Sequence, residues 1–227
     1  MKKLTLNQGR FLVKYARGII ESHFGAEIPE IPKGMRHLMD MEQGVFVVLR
    51  IHPYNDIRGC MGYAESAIPL RRAVPEVALS AALRDHRFPP VRKSELKSLI
   101  VEVSILTEPD PIKVDDPEDY PKNITIGRDG LIIQKGPRKG LLLPQFSVER
   151  GWNSREFLSR TCMRGGFDPY SWLKDDMTIY KFNAQIFTEI EPGGDVIERD
   201  ISKKKIRKKG VKMVKKKRKG MVKKKRK

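Results

Sequence analysis

The sequence of 227 residues contains only two cysteines and no long run of apolar residues. The two cysteines, Cys60 and Cys162, cannot form the disulfide framework of a small secreted protein. No stretch approaches the roughly 18 apolar residues that a membrane-spanning helix needs. The N-terminus also turns polar before the apolar stretch of a signal peptide could form. These absences predict a cytoplasmic protein without a membrane span.

The chain also lacks the motifs of several common enzyme classes. It has neither G-x-G-x-x-G nor G-x-x-x-x-G-K-[ST], and it has no H-E-x-x-H, so dinucleotide-binding, P-loop and zincin functions lose their usual support. Its four histidines are not spaced from one another, or from a cysteine, as zinc ligands are. We therefore expect no metal site and no organic cofactor.

Positive charge is abundant, but it is concentrated at one end of the chain. The formal net charge is +18, and residues 201–227 hold 17 Lys and Arg with no Asp or Glu. This leaves 29 of the 46 Lys and Arg against 28 Asp and Glu in the remainder, which is nearly neutral. Dense like charges with little apolar area predict a disordered tail. Its partner would be nucleic acid or another polyanion, bound without sequence specificity.

The pattern of apolar residues predicts an α+β fold. Apolar residues make up 39% of the chain, which is enough for a sizeable core. Helical periodicity over 11–20 and 68–86 alternates in irregular order with strand-like segments. These segments lie at 45–49, 100–107, 123–126, 131–134, 141–143 and 178–188. Local hairpins favour antiparallel sheets with flanking helices over a doubly wound parallel sheet. We place this domain at 1–195 and a lysine-rich disordered tail at 196–227.

Cys60 is the sharpest candidate for chemistry. A nucleophilic or redox thiol acts as the thiolate, and cations or backbone N–H groups lower its pKa. Arg58 lies two residues before Cys60, and Gly59 and Gly62 would let the backbone turn its N–H groups toward the sulfur or a substrate. The alternative is that Cys60 is a small buried hydrophobe in a strand. We expect Cys162, on the apolar face of a predicted helix, to pack in the core.

Two other polar segments are candidates for a site. Asp85 and Arg87 stand at a helix end before two prolines, where a stiff backbone would hold side chains in place or would simply turn the chain. His86 between them could act as a base or be an ordinary surface residue. Arg138 and Lys139 could meet an anion, or they could belong to an ordinary solvated hairpin turn.

Three segments together resemble the AMMECR domain family. Residues 57–62, Ile-Arg-Gly-Cys-Met-Gly, look like its L-R-G-C-I-G signature, and residues 85–90 resemble its D-x-R-F-P-P segment. Residues 142–162 resemble its block of L-L-P-Q, G-W, E-F-L and T-C. The resemblance covers roughly residues 5–190, so it says nothing about the tail.

The resemblance implies an α+β fold with a larger and a smaller lobe around a cleft. The segment that carries Arg58, Gly59 and Cys60 would line this cleft, with Asp85 and Arg87 near it. Prokaryotic members of the family often accompany a Memo-like protein and a radical-SAM protein. This association implies a shared modification pathway without naming its reaction.

Two functions stay open at this point. In the first, Cys60 is the nucleophile or redox thiol of an enzyme or of a modification system, Arg58 stabilises an anionic group, and Asp85 and Arg87 bind substrate. In the second, the domain is a non-catalytic module that binds a ligand or peptide, and its basic tail tethers it to nucleic acid or ribosomes.

Overall fold

The computed structural model describes residues 3–65 and 67–202, so the predicted tail lies outside it except for residues 196–202. The helices are α1 (Leu6–Ser22), α2 (Arg36–Met39), α3 (Leu70–Leu83), α4 (Pro144–Arg150) and α5 (Ser154–Arg164). The strands are β1 (Val45–Ile51), β2 (Asp56–Tyr63), β3 (Leu99–Leu106), β4 (Asp110–Pro111), β5 (Asp129–Lys135), β6 (Arg138–Leu142), β7 (Thr178–Glu189) and β8 (Val196–Glu198). Short 3₁₀ helices lie at Lys33–Met35, Lys93–Ser98, Pro117–Asn123 and Ser171–Leu173. No described helix has both the length and the apolar character that crossing a membrane requires.

The strands confirm the predicted α+β fold with antiparallel pairing. They form one sheet in the order β2-β1-β3-β7-β5-β6, and β4 and β8 also pair with β7. The long strand β7 belongs to two halves of this sheet, because residues 178–183 pair with β5 and residues 184–188 pair with β3. The sheet curls at β7, and each half forms the framework of one lobe.

Helices cover the outer faces of the two halves. Side chains alternate between the two faces of a strand. Each half of the sheet therefore packs one face against its helices and the other face against the other half of the sheet. In the larger lobe, α1 and α3 pack on β1 and β3, with Leu12 and Val47 in one buried cluster. In the smaller lobe, α5 packs on β5 and β7, with Phe157 and Ile133 in a second cluster.

A third buried cluster, here called the interlobe core, joins the inner faces of the two halves. It draws on the strands of both lobes and on the start of α4. Its members are Phe46, Val48, Cys60, Leu106, Ile132, Leu143 and Phe182. The two lobes therefore meet across apolar side chains in the depth of the molecule.

The structure differs from the sequence-based expectations at two places. Residues 123–126 form the end of a 3₁₀ helix and a turn instead of a strand, because the Asp129 carboxylate accepts the N–H of Thr125 and the main chain closes around the Thr125 carbonyl. The folded body also continues past 195, because β8 pairs with β7 and the Arg199 side chain reaches the interior.

Arg199 belongs to a buried network of charges between α4 and the larger lobe. Glu102 is fully buried and accepts hydrogen bonds from Arg50, at 3.3 Å, and from Arg199, at 2.7 Å. Both arginines also bind Glu149 on α4. Burial raises the pKa of Glu102, but the two guanidinium charges outweigh it and hold that pKa below its ordinary value. The network therefore ties the start of the C-terminal segment to the sheet.

Strand β2 approaches α3 closely at Gly59. A Cβ on this residue would overlap the carbonyl oxygen of Ala81 in α3, and that oxygen belongs to the helix backbone. We predict that Gly59→Ala lowers the free energy of unfolding by about 1–3 kcal/mol, because strand and helix must separate to admit the methyl group. Urea unfolding measures this loss. The control is Gly34→Ala, since a Cβ there meets open space. Equal free energies of unfolding for the two variants would contradict the close approach of β2 to α3 at Gly59.

Candidate functional site

Cys60 lies in β2 opposite Val48, and its side chain points into the interlobe core. The residue is only 7% exposed. Its position in the strand is explained by alternation, because its neighbours Gly59 and Met61 pack toward α3 and the core of the larger lobe. The sulfur therefore lies on the buried face of the strand, which fits the alternative that Cys60 is a small buried hydrophobe.

On the side of β2 that faces away from β1, side chains hold the main chain of Cys60. β2 is a terminal strand of the sheet. The Asp85 carboxylate accepts the N–H of Cys60 at 2.9 Å, and the Arg87 guanidinium donates to the Cys60 carbonyl at 3.2 Å. Arg87 also donates to both oxygens of Asp85, at 2.8 and 2.6 Å. The structure thus brings Asp85 and Arg87 to Cys60, as predicted, in an arrangement that we call the Cys60 clamp.

Arg58 is not directed at the sulfur. The pairing of β1 with β2 passes from Leu49–Gly59 to Arg50–Ile57, so Arg58 is the extra residue of a β-bulge. Its guanidinium donates to both oxygens of Glu95, at 2.7 and 3.1 Å. The proposed activation of the thiol by Arg58 therefore has no support in the geometry, and the N–H of Cys60 itself is already taken by the clamp.

The electrostatics of Cys60 favour the neutral thiol. Burial raises the pKa of Cys60 to about 11, although the charges of Arg87 and Arg164 lower it and those of Asp85 and Glu102 raise it further. A thiol with such a pKa is protonated near neutral pH. Burial therefore dominates, and two positive charges close enough to act on the sulfur do not overcome it.

Arg164 is the residue that sequence reasoning missed. It is the last residue of α5 and is exposed. Its charge acts on Cys60, yet its guanidinium forms no ion pair or hydrogen bond within the described residues. Nothing in the sequence near Cys60 indicates it, because packing of the smaller lobe on the larger one brings it there. Its position at a helix end was the only available signal.

The remaining candidates lie elsewhere. His86 is exposed and is not among the groups that act on Cys60, whereas Cys162 is buried in the core of the smaller lobe, as predicted. Within residues 3–65 and 67–202, no three His, Cys, Asp or Glu side chains are grouped so that they could hold a metal ion.

A cavity of about 790 Å³ lies away from Cys60, between β7, the turn before β5 and the chain from the end of β8 onward. Its lining includes Arg128, Asn183, Arg199 and Ser202. A smaller cavity of about 180 Å³ shares Arg128 and Asn183 with it. Neither of these two cavities is lined by the predicted site residues.

The clamp predicts a pH dependence of stability. Burial raises the pKa of Asp85, but hydrogen bonds from Arg87 and from Cys60 outweigh it and lower the pKa to about 2. A carboxylate whose pKa is lower in the folded state stabilises the protein above its unfolded pKa, and this stabilisation is lost as the pH falls from about 4 to about 2. Asp85→Asn should therefore cost about 2 kcal/mol at pH 7, and its deficit should shrink toward pH 2.

Urea unfolding at pH 7 and at pH 2.5 measures this difference. Asp176→Asn is the control, because Asp176 forms an exposed pair with Lys135 and its loss should cost little. A deficit of Asp85→Asn that is the same at both pH values would contradict the clamp.

The raised pKa of Cys60 predicts slow alkylation. In a Cys162→Ala background, iodoacetamide should modify Cys60 at pH 8 at least about a hundredfold more slowly than it modifies free cysteine, because the thiolate is scarce. The rate should rise steadily up to pH 10, and the urea-unfolded chain should react like free cysteine. A native rate equal to that of free cysteine near neutral pH would show an activated thiol.

Comparison with known proteins identifies a family model, relatives in sequence and a solved structure that match this chain. A model of the AMMECR1 family matches residues 13–187. Protein MJ0810 of Methanocaldococcus jannaschii is 46% identical over 201 residues, which cover 88% of this chain and 100% of the relative. Protein PF1979 of Pyrococcus furiosus is also 46% identical, over 86% of this chain and 95% of the relative.

The crystal structure of uncharacterized protein PH0010 from Pyrococcus horikoshii is 42% identical and has a TM-score of 0.80. The match covers 86% of this chain and 97% of that structure. The resemblance of the three motif segments is thereby confirmed over most of the chain: this protein belongs to the AMMECR1 family.

Proposed function

We propose that this chain is a binding module that holds an anionic group of its ligand on the surface beside Cys60, with the thiol neutral. Two observations carry the proposal: the exposed Arg164 guanidinium has no ion pair or hydrogen bond within the described residues, and its charge acts on the buried Cys60. A thiol that is not ionised is a poor nucleophile, whereas an exposed guanidinium without a carboxylate partner is suited to bind an anion.

Arg87 is the second arginine of this proposed site. Its Nε and Nη2 atoms are engaged by Asp85 and by the Cys60 carbonyl, while its side chain is 31% exposed. The Nη1 atom has no partner within the described residues and remains available to a ligand. Asp85 neutralises the charge of Arg87, but among residues 3–65 and 67–202 no carboxylate pairs with Arg164. The site therefore has an excess positive charge that fits a carboxylate or phosphate group.

The basic tail gives the module a second, non-specific contact. Residues 201–227 carry 17 Lys and Arg, which favour binding to nucleic acid or another polyanion through release of counterions. Fully extended, this segment would span on the order of 90 Å. In this proposal the body of the protein selects the ligand, and the tail keeps it near a polyanion or a ribosome.

The family association suggests a setting for such a module. Memo-like and radical-SAM proteins accompany prokaryotic relatives in the family that this chain resembles. A module that holds an anionic group would present its ligand to a partner of that modification pathway. The chemistry would then belong to the partner.

A Cys60-dependent enzyme is the second candidate. The observation in its favour is that both Arg87 and Arg164 lower the pKa of Cys60. For catalysis the two charges would have to overcome burial, which requires that the smaller lobe moves and admits solvent to the sulfur. Cys60→Ser separates the candidates, because it keeps the shape of the side chain and removes the thiolate. The module predicts unchanged ligand binding, and the enzyme predicts lost activity in the cell.

Pyrophosphate is a probe of the anion site. In the full chain with Cys162→Ala, we predict that pyrophosphate slows alkylation of Cys60 at pH 9.5, because an anion held at Arg164 offsets a positive charge that lowers the pKa of the thiol. Added Arg164→Gln should reduce the affinity for pyrophosphate about tenfold, the worth of one charge-assisted hydrogen bond.

Arg155→Gln is the matched control. Arg155 lies in the same helix but forms an ion pair with Glu118 at 2.6 Å. Its substitution should leave the protection by pyrophosphate intact. Equal protection in the Arg164→Gln chain, or none in the parent chain, would refute an anion site at Arg164.

A further inference from the structure

We infer that the anionic partner of this site is a single-stranded nucleic acid, which lies along a basic rim of the smaller lobe. The rim consists of Arg138, Lys139, Arg160 and Arg164. The inference rests on the proposed function, because it names the class of partner that the same site would take. It makes the body of the protein, and not only the tail, a nucleic-acid contact.

The fold brings the rim residues next to one another. Arg160 and Arg164 are four residues apart in α5, so they share one flank of the helix at a rise of about 6 Å. Arg138 donates to the carbonyl oxygens of Gly165 and Gly166, directly after the helix ends. The first residues of β6 therefore add their positive charge next to that of the end of α5.

Gly140 explains why strand and helix can meet so closely. A Cβ at this position would overlap the carbonyl oxygen of Thr161 and the backbone nitrogen of Gly165. Because Gly140 has no side chain, β6 lies against the last turn of α5. The two parts of the rim are thus fixed by backbone packing and not by flexible side chains.

Aromatic rings lie behind two of the rim arginines. The Arg138 guanidinium lies 4.5 Å from the centre of the Phe167 ring, and that of Arg160 lies 5.7 Å from the Trp152 ring. A guanidinium that rests on a ring is held in place and can stack with a base on its other face. This arrangement favours nucleic acid over an acidic polypeptide, whose carboxylates need no planar surface.

Few carboxylates compete for the rim. Lys139 meets Glu65 at 3.3 Å, but both side chains are about half exposed, and such a pair is weak. Glu156 lies one turn before Arg160, and its carboxylate accepts the N–H of Asn153. Neither Arg160 nor Arg164 has a carboxylate partner within the described residues, so both charges are available to phosphates.

Arg155 is an arginine on the same helix that already has a carboxylate partner. It lies on the other flank of α5, 5.8 Å from the centre of the Trp172 ring, and it pairs with Glu118. It therefore shares the helix and the ring contact of Arg160 but not the free charge. This makes Arg155 a closely matched control.

The rim and the tail would contribute different contacts to one strand. The tail after Ser202 consists largely of lysine and arginine and has no aromatic residue, so it can hold phosphates but offers no ring on which a base can stack. The rim offers planar guanidinium groups at fixed positions. Joining both to one chain raises the effective concentration of the second contact once the first has formed.

Fluorescence anisotropy of the full chain tests the inference with two labelled probes, a single strand of ten uridines and a peptide of ten glutamates. We expect Arg138→Gln, Arg160→Gln and Arg164→Gln each to weaken RNA binding about three- to tenfold. Each should lower the slope of log affinity against log salt by about 0.7. Arg155→Gln should leave both quantities unchanged, and thermal melting should show every variant folded.

The glutamate peptide decides between the two classes of polymer. Arg138→Gln and Arg160→Gln should weaken its binding less than they weaken RNA binding, because it has no bases to stack. An equal loss for both probes would make an acidic polypeptide the partner and overturn the inference. So would rim variants that bind RNA like Arg155→Gln. If pyrophosphate still protects Cys60 in that case, the proposed anion site stands and only its assignment to nucleic acid falls; if pyrophosphate fails as well, both fall.

Discussion

The hydrogen bonds of Asp85 and Arg87 to the main chain of Cys60 are the constraint on which the rest of the site depends. β2 pairs with β1 on one side only, so the N–H and carbonyl of Cys60, which are bound by Asp85 and Arg87, have no strand on the outer side. The clamp takes the place of that strand and closes the edge, which also protects it from pairing with another chain. With the main chain fixed in this way, the sulfur points inward, and its burial keeps the thiol neutral.

This arrangement changes what the two most distinctive motifs mean. In the sequence, the Arg-Gly-Cys segment and the Asp-x-Arg segment resemble parts of a catalytic site. In the structure, many of their polar groups already form hydrogen bonds with each other or with Glu95. Gly59 is needed because β2 lies against α3. The charges of Arg164 in the smaller lobe and of Arg87 in the larger lobe both act on Cys60, and in our proposal the ligand binds at the surface that carries them.

The sequence allowed the local features of the fold to be predicted, but not the long-range ones. The strand-like segments at 100–107 and 178–188 identified β3 and β7, and helical periodicity over 11–20 and 68–86 identified most of α1 and α3. The orientation of Arg58 could not be foreseen, because the bulge that turns it toward Glu95 arises from the pairing of β2 with β1. Arg164 is 104 positions from Cys60 in the sequence, and only the packing of the two lobes brings their charges together.

The burial of a neutral thiol at Cys60 is what favours ligand binding over catalysis at this site. The most direct measurement is a titration of the full chain with ¹³C-labelled cysteine Cβ, followed by NMR, with Cys162→Ala used to assign the signal. We expect the Cys60 Cβ signal to titrate with a midpoint near pH 11. A midpoint below 8 would show a thiolate at physiological pH and would return the site to catalysis.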